Sequence, residues 1–258
     1  MKFNRTIIAL IILFVAVGCD KDEEMPSGVY LTRVIYHQNA DQVRHYFYDK
    51  EGLLSHRQYR FEDIIAERFD YKYQDGKISQ IDFYSLNNQN DRTLHYQNHL
   101  LFEYEAGNIV KSTLVPDESP LTYQWNNDKR VTSMDEPTKT TEFLYDSRGN
   151  IKESTVYMDG EMYWKFFYEY DTGRNPFYNI DPIHDNFTRL DLIHYKCPNN
   201  LTKSIFINER KDTISINDFY YEYNDKNLPI ESDELFTSES NGYYRDTISH
   251  ILYEYKVK

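Results

Sequence analysis

The chain has 258 residues and a formal net charge of −13, with 25 Tyr and 15 Phe but only two cysteines. That length suits one all-β domain or a repeat array. The acidic balance disfavours phosphate backbones and anionic lipid head groups, so no nucleic acid is expected as a partner; two cysteines are too few for a disulfide framework.

Residues 1–28 carry addressing information. Lys2 and Arg5 make a basic start, and Ile7 to Val17 is an apolar run shorter than the ~20 residues that span a bilayer. Ala16-Val17-Gly18-Cys19 then resembles a bacterial lipobox, with Ala16 where the pattern usually has Leu. The resemblance implies a signal peptide over 1–18, a diacylglycerol on Cys19 and a membrane anchored through that lipid. An ordinary signal peptide cut elsewhere, or an uncleaved anchor, is the alternative. Cleavage removes Lys2 and Arg5 and no acid, deepening the negative charge. With Cys19 consumed, Cys197 is left single; beside Pro198 it reads as structural. Lys21, Asp22, Glu23 and Glu24 resemble the surface-export signal of Bacteroidota lipoproteins, which implies an outer-membrane protein facing outward. The same acids, with Pro26 and Gly28, also describe a plain solvated tether over 19–28.

From residue 29 to 258 one short pattern recurs. Phe143-Leu144-Tyr145-Asp146-Ser147-Arg148-Gly149-Asn150-Ile151 is its fullest copy, and its second aromatic has counterparts at 48, 73, 104, 125, 170, 223 and 255. The gap from 170 to 223 is about twice the others, and half of it falls on a worn copy, Tyr195-Lys196-Cys197-Pro198-Asn199-Asn200-Leu201. Self-similarity at this period marks a repeat architecture. Aromatics at i and i+2 put two rings on one face of a pleated strand. Asp or Asn then caps a turn, and Gly supplies the positive φ that other side chains resist. Asp75-Gly76 reads as a short hairpin, and Asp146-Ser147-Arg148-Gly149 as a longer turn. Second turns between anchors, clearest at Asp159-Gly160 and Asn241-Gly242, make each period two strands.

Other stretches read less regularly. Val29 to Tyr36 looks like an opening strand, Glu62 to Glu67 fits one helical turn or a hairpin bend, and Val115 to Pro120 looks like an irregular edge loop. Residues 173–192, with Pro176 and Pro182 and no alternation, form the longest loop, read as a cover over the aromatic face or a sheet end, or as a ligand site. Lys211-Asp212-Thr213-Ile214-Ser215 and Arg245-Asp246-Thr247-Ile248-Ser249 echo each other. Both match an Asp-Thr-aliphatic pattern resembling Bacteroidota O-glycosylation sites, which makes Thr213 and Thr247 candidate acceptors; strand duplication explains the echo equally.

The units together resemble YD (Rhs-type) repeats, in the degenerate form found in Bacteroidota lipoproteins. The likeness covers roughly residues 30–258. The 48 and 145 units match the full spacing, the 73 and 104 units are a residue shorter in the turn, and those at 125, 195 and 223 lack the Gly. What the resemblance implies is β architecture and a binding or scaffold role. About eight two-strand periods give roughly sixteen strands, and open sheets seldom pass ~10 without curling. The expected fold is therefore all-β: an elongated, aromatic-rich antiparallel β-meander of hairpins, coiled or rolled so that its aromatic face is partly covered.

Chemistry-bearing motifs are sparse. The sequence contains no phosphate loop, GxSxG, HExxH, CxxC or EF-hand pattern. His95 and His99 would meet on a helix but lie ~13 Å apart on a strand. Asp181, His184 and Asp185 cluster in the long loop and are the centre of a remote hydrolase reading. No cofactor or metal is expected. Tyr163-Trp164 and Tyr243-Tyr244 put rings at both parities of a strand, so one of each pair should face outward as a platform for a glycan or protein ligand. The leading reading is a non-catalytic, lipid-anchored binding or adhesion module at the cell surface. A periplasm-facing scaffold for an envelope complex is the alternative.

Overall fold

The computed structural model describes residues 28–37, 41–87, 92–117, 119–178, 196–238 and 244–257, with the backbone alone at 41, 119 and 244–248. Among these residues lie sixteen strands. The first eight are β1 (Val29–His37), β2 (Asp41–Tyr48), β3 (Leu54–Phe61), β4 (Ile64–Gln74), β5 (Lys77–Leu86), β6 (Leu94–Glu105), β7 (Asn108–Val115) and β8 (Ser119–Trp125). There follow β9 (Val131–Glu136), β10 (Lys139–Tyr145), β11 (Ile151–Met158), β12 (Glu161–Arg174), β13 (Asn199–Asn208), β14 (Thr213–Tyr223), β15 (Pro229–Ser238) and β16 (Tyr244–Val257). Each strand pairs antiparallel with the next, and β16 pairs with β1 from Val29↔Val257 to His37↔His250. The expected all-β antiparallel meander is thus present, but rolled to a closed barrel rather than elongated. Pairing the first and last strands removes both unpaired edges, which a sheet this wide would otherwise expose.

The repeat explains how neighbouring hairpins lock. The aromatic anchor of each even strand donates a hydrogen bond to the backbone carbonyl of an apolar residue near the start of the strand before it. The bonds run Tyr48→Leu31, Tyr73→Leu54, Tyr104→Ile78, Trp125→Ile109, Tyr145→Val131, Tyr170→Ile151, Tyr221→Leu201 and Tyr255→Pro229, at 2.6–3.0 Å. In the β14 unit Tyr221 makes this bond, and Tyr223 instead bonds Asp171 and Asn200. A second tier of bonds, Ser112–Tyr123, Ser154–Tyr168 and Ser232–Tyr253, lies one pleat further along. Tyrosine suits both tiers because its ring packs while its hydroxyl finds a partner.

The turns follow the motif's chemistry. At Asp146 the side chain accepts from Arg148 and Asn150 N–H at 2.9 Å each, and Gly149 (φ +96°) closes the loop back to the Asp146 carbonyl. Asn126 and Asn224 build the same turn, with Lys129 and Asn227 at φ 59° standing where the motif has Gly. These two units lacking Gly therefore keep the turn and bear the strain of a side chain at positive φ. Glu62-Asp63 is a hairpin turn rather than a helical one. β7 ends at Val115 and β8 begins at Ser119, and the two pair with each other, so the expected edge loop over Val115 to Pro120 falls between neighbouring paired strands.

Pleat parity assigns the two faces. Leu31, Val34, Phe69, Ile151 and their neighbours are almost wholly buried with nothing packed outside the sheet, so they face the lumen. The intervening positions face out and carry charge. Lys72–Asp82 (2.7 Å), Lys111–Glu103 (2.6 Å), Lys165–Glu153 (2.7 Å), Arg68–Asp70 (2.6 Å) and Arg33–Glu254 (2.9 Å) pair on this outer wall. Such pairs contribute only ~0–1 kcal/mol each; what matters is where they stand. Phe167, Ile205 and Ile216 make an apolar stretch among them.

Candidate functional site

The barrel has two unlike ends. The anchor turns, both chain ends of the barrel (Val29 and Val257) and the link from β12 to β13 share one end. Aromatic anchors fill the lumen there. Phe177 turns inward and packs against Tyr46 (6.4 Å) and Tyr253 (6.2 Å), on strands well round the wall from its own. The start of the long link is thus a cover over the aromatic face, as one of the two sequence readings had it; residues 179–195, with Asp181, His184 and Asp185, lie outside the described residues.

A buried polar network fixes this closure. Asn150 Nδ2 donates to Asn199 Oδ1 (3.0 Å) and to Asp146 (3.1 Å), and Asn199 N–H donates back to Asn150 (3.1 Å). Asn175 Nδ2 donates to the Cys197 carbonyl (2.8 Å), and Tyr223 donates to Asp171. Cys197 is fully buried, and its sulfur accepts from Ile151 N–H at 3.2 Å and lies 3.3 Å from the Tyr170 hydroxyl. Burial pushes the thiol up to about 12, so it stays protonated and unreactive. Burial likewise raises the Asp171 carboxyl, against the bonds from Tyr223 and Gly173 that favour its ionised form. These groups bond one another and hold the closed end together.

At the opposite end the lumen-facing residues change character. Arg44, Tyr59, Glu67, Ser85, His95 and Asn98 face inward on β2–β6. Across the lumen, Glu234 accepts from Ser249 at 3.2 Å, and burial raises its carboxyl above the ordinary range. The wall of β12 and β13 carries a ladder of rings. Tyr163 meets Trp164 at 4.8 Å, Trp164 meets Phe206 edge-on at 6.0 Å, Phe206 stacks on Phe166 at 4.6 Å, and Phe166 lies parallel to Tyr168 at 6.4 Å. Beside its outer end an open groove of about 520 Å³ lies between the β9–β10 and β11–β12 turns, lined by Glu136, Lys139, Glu142 and Tyr157 among others.

The sequence candidates distribute unevenly over this geometry. Tyr163 and Trp164 do not point to opposite faces, because a bulge opposite Val156 and Tyr157 leaves Tyr163 unpaired and brings both rings together. Trp164 is half-buried at a lumen-facing position and Tyr163 is exposed, so the pair sits at the ladder's mouth. Tyr244 pairs with Ser238 through its backbone, and Tyr243 lies outside the described residues. Thr213 opens β14 opposite Ile207, and Thr247 pairs with Leu235. A second bulge, at Phe83 and Tyr84, turns His95 to the lumen and His99 outward, where it bonds Tyr96. Cys19, Lys21, Asp22, Glu23 and Glu24 lie outside the described residues. The ring partners Phe166 and Phe206 were missed by sequence reading, since nothing local distinguishes a mouth aromatic from a floor aromatic.

No protein-family model matches the chain, and no curated protein matches it, so the likeness to YD repeats stands on the residues alone. Among solved structures, a porin-like protein from Bacteroides vulgatus is similar at a TM-score of 0.53 and 14% identity, over 88% of this chain and 99% of that one. A porin-like protein from Bacteroides uniformis scores 0.41 at 13% identity, over 89% of this chain and 96% of that one. The described residues form a sixteen-stranded antiparallel β-barrel with a porin-like fold.

Proposed function

We propose that this is a non-catalytic lipoprotein of the outer membrane, held by a lipid on Cys19 and facing outward, whose barrel stands in water and binds a glycan at its aromatic mouth. The observation that carries the reading is the polarity of the wall. A barrel that crosses a bilayer turns an apolar band about 25 Å tall outward and keeps polar residues within. Here the pattern is reversed, with aromatic rings inside and charged pairs outside. A charge at mid-bilayer on the lipid face costs about 2–4 kcal/mol, and several strands of this wall carry one. Membrane association then needs an anchor, which the lipobox-like Ala16-Val17-Gly18-Cys19 would supply. The barrel also begins at its closed end, so a tether leaving Val29 would turn the mouth away from the membrane. At that mouth Tyr163 and Trp164 present adjoining rings of the kind sugar faces stack on.

The test is fractionation and protease shaving of intact cells. The native chain should sediment with the outer membrane and be cleaved by external protease. The Cys19→Ala chain should appear in buffer without detergent, and an all-Ala replacement of Lys21 to Glu24 should become protected. A Cys19→Ala chain that resists alkaline carbonate extraction would mean that the barrel spans the bilayer. Protection of the native chain in intact cells would refute surface display.

A further inference from the structure

The outer wall between β2 and β3 carries a group the reading above does not use. Arg60 faces outward beside Val43, and its Nε is buried without a hydrogen-bond partner. Among the described residues Arg60 also has no carboxylate or carbonyl partner, whereas Arg33 and Arg68 on the same wall are each held by an acid. In a chain of net charge −13, an arginine without an acid among the described residues is unexpected.

Its surroundings sharpen the observation. Below Arg60 on the same face lie His45 and Gln58, paired across the two strands, and below them Phe47 and His56. Phe47 and His56 stack at 4.2 Å with 9° between their planes, and His45 continues the stack at 6.1 Å from Phe47. Phe47 is 37% exposed, so the slab has an edge and a face in solvent. His45 is held below the usual histidine range by burial first and then by Arg33 and Arg60, with Glu254 opposing, so the field at this spot is positive. His56 is lowered as well, chiefly by burial and by Arg68. Both rings are therefore neutral near pH 7 and available for stacking, while the guanidinium stays charged.

We propose that Arg60, Gln58 and the Phe47–His56 stack form a second saccharide site, on the outer wall, for a sugar bearing a carboxylate. The carboxylate would take the guanidinium through charge-assisted bonds, and a neighbouring sugar ring would lie on the stack. Four residues along a strand separate the two groups, about 13 Å, which fits a disaccharide and exceeds one ring. The site is distinct from the mouth and requires only that the outer wall meets water.

The experiment is calorimetry on the Cys19→Ala chain in detergent-free buffer, with digalacturonate, neutral galactose dimers and inorganic sulfate as probes. Digalacturonate should bind at least tenfold more tightly than either other probe. Arg60→Gln should bring it down to the neutral dimer, and Phe47→Ala should weaken the acidic dimer while leaving sulfate unchanged. Unaltered circular dichroism of both variants separates lost binding from lost fold, and Gln58→Ala supplies a second polar probe should Arg60→Gln unfold. Equal binding of acidic and neutral dimers, sulfate as tight as digalacturonate, no binding of digalacturonate, or indifference to Arg60→Gln and Gln58→Ala would each overturn the proposal. Recovery of the Cys19→Ala chain in buffer tests the water-facing wall separately, before any ligand is added.

Discussion

Replacing Tyr145 by Phe isolates one link of the anchor ring. The hydroxyl of Tyr145 donates to the Val131 carbonyl at 2.8 Å, and Val131 is 2% exposed. The ring itself keeps its contacts, including the Arg130 guanidinium 5.5 Å over its face, so the substitution removes the hydroxyl and little else. A typical hydrogen bond contributes ~0.5–1.5 kcal/mol net, and a buried acceptor left unsatisfied costs ~1–3 kcal/mol. The half-buried setting puts the expected loss at about 1–2 kcal/mol. For a domain of this size each kcal/mol moves Tm by about 2–4 °C, so a fall of about 2–8 °C is expected in a melt followed by near-ultraviolet circular dichroism. Tyr163→Phe is the control, because Tyr163 is exposed and takes no part in the ring; its shift should stay within about 0.5 kcal/mol. Tyr73→Phe, on strands distant from β9 and β10, should add to Tyr145→Phe without coupling. A Tyr145→Phe chain that melts with the native one, or a Tyr163→Phe chain that falls as far, would show that the anchor bond does not stabilise the barrel.

Three further outcomes follow from the closed end and the aromatic core. Gly173→Ala would place its Cβ inside the Tyr223 ring, which is held by its bond to Asp171; a loss of about 1–3 kcal/mol from overpacking is expected, read as a lower urea midpoint, and an unchanged midpoint would show that the ring moves freely. In a Cys19→Ala chain Cys197 should be inert to a disulfide reagent until denaturant is added, since it is buried with its thiol pushed up to about 12; stoichiometric labelling of the native state would contradict the closure. Alkaline stability follows from Tyr104 and Cys197, both raised to about 12 by burial. Their folded values lie above the ordinary ~10 and ~8.5, so their contribution is whole below those values and is lost as pH rises through about 12. The tyrosinate absorbance of the buried hydroxyls should therefore appear as a late, steep phase above pH 10 that coincides with the loss of circular dichroism, and full ionisation of all tyrosines with intact dichroism would refute this.

Much of the fold was legible because one unit writes its own geometry. Tyr145, Asp146, Gly149 and Ile151 specify a ring donor, a capped turn, a positive φ and the carbonyl that the next ring takes, so the repeat and the rough count of sixteen strands could be read along the chain. Closure could not. Whether β16 meets β1 depends on accumulated twist and tilt over the whole sheet, and no residue near Val29 or Val257 announces it. The bulges were also invisible. Each adds one residue opposite a pair and reverses parity beyond it, which is why Tyr163 and Trp164 come together while His95 and His99 separate. Rings on different strands, such as Trp164 and Phe206 or Phe47 and His56, become neighbours only through register.

A shared barrel shape leaves function open, because a barrel's relation to a bilayer is set by which side chains its pleat turns outward. Shift every strand of this chain by one residue, and Tyr46, Phe69, Tyr123 and Phe143 would form an outer aromatic coat around a lumen lined by Lys72, Glu103 and Lys111. That arrangement would suit lipid outside and water within. The observed register does the reverse, and the anchor bonds hold it there: Tyr145 can reach the Val131 carbonyl only from the lumen side. The same eight bonds that close one hairpin on the next therefore also fix the wall's polarity. On the proposed reading, the bonds that stabilise the barrel are also those that turn its charged side chains outward, and attachment to the membrane falls to the lipid on Cys19.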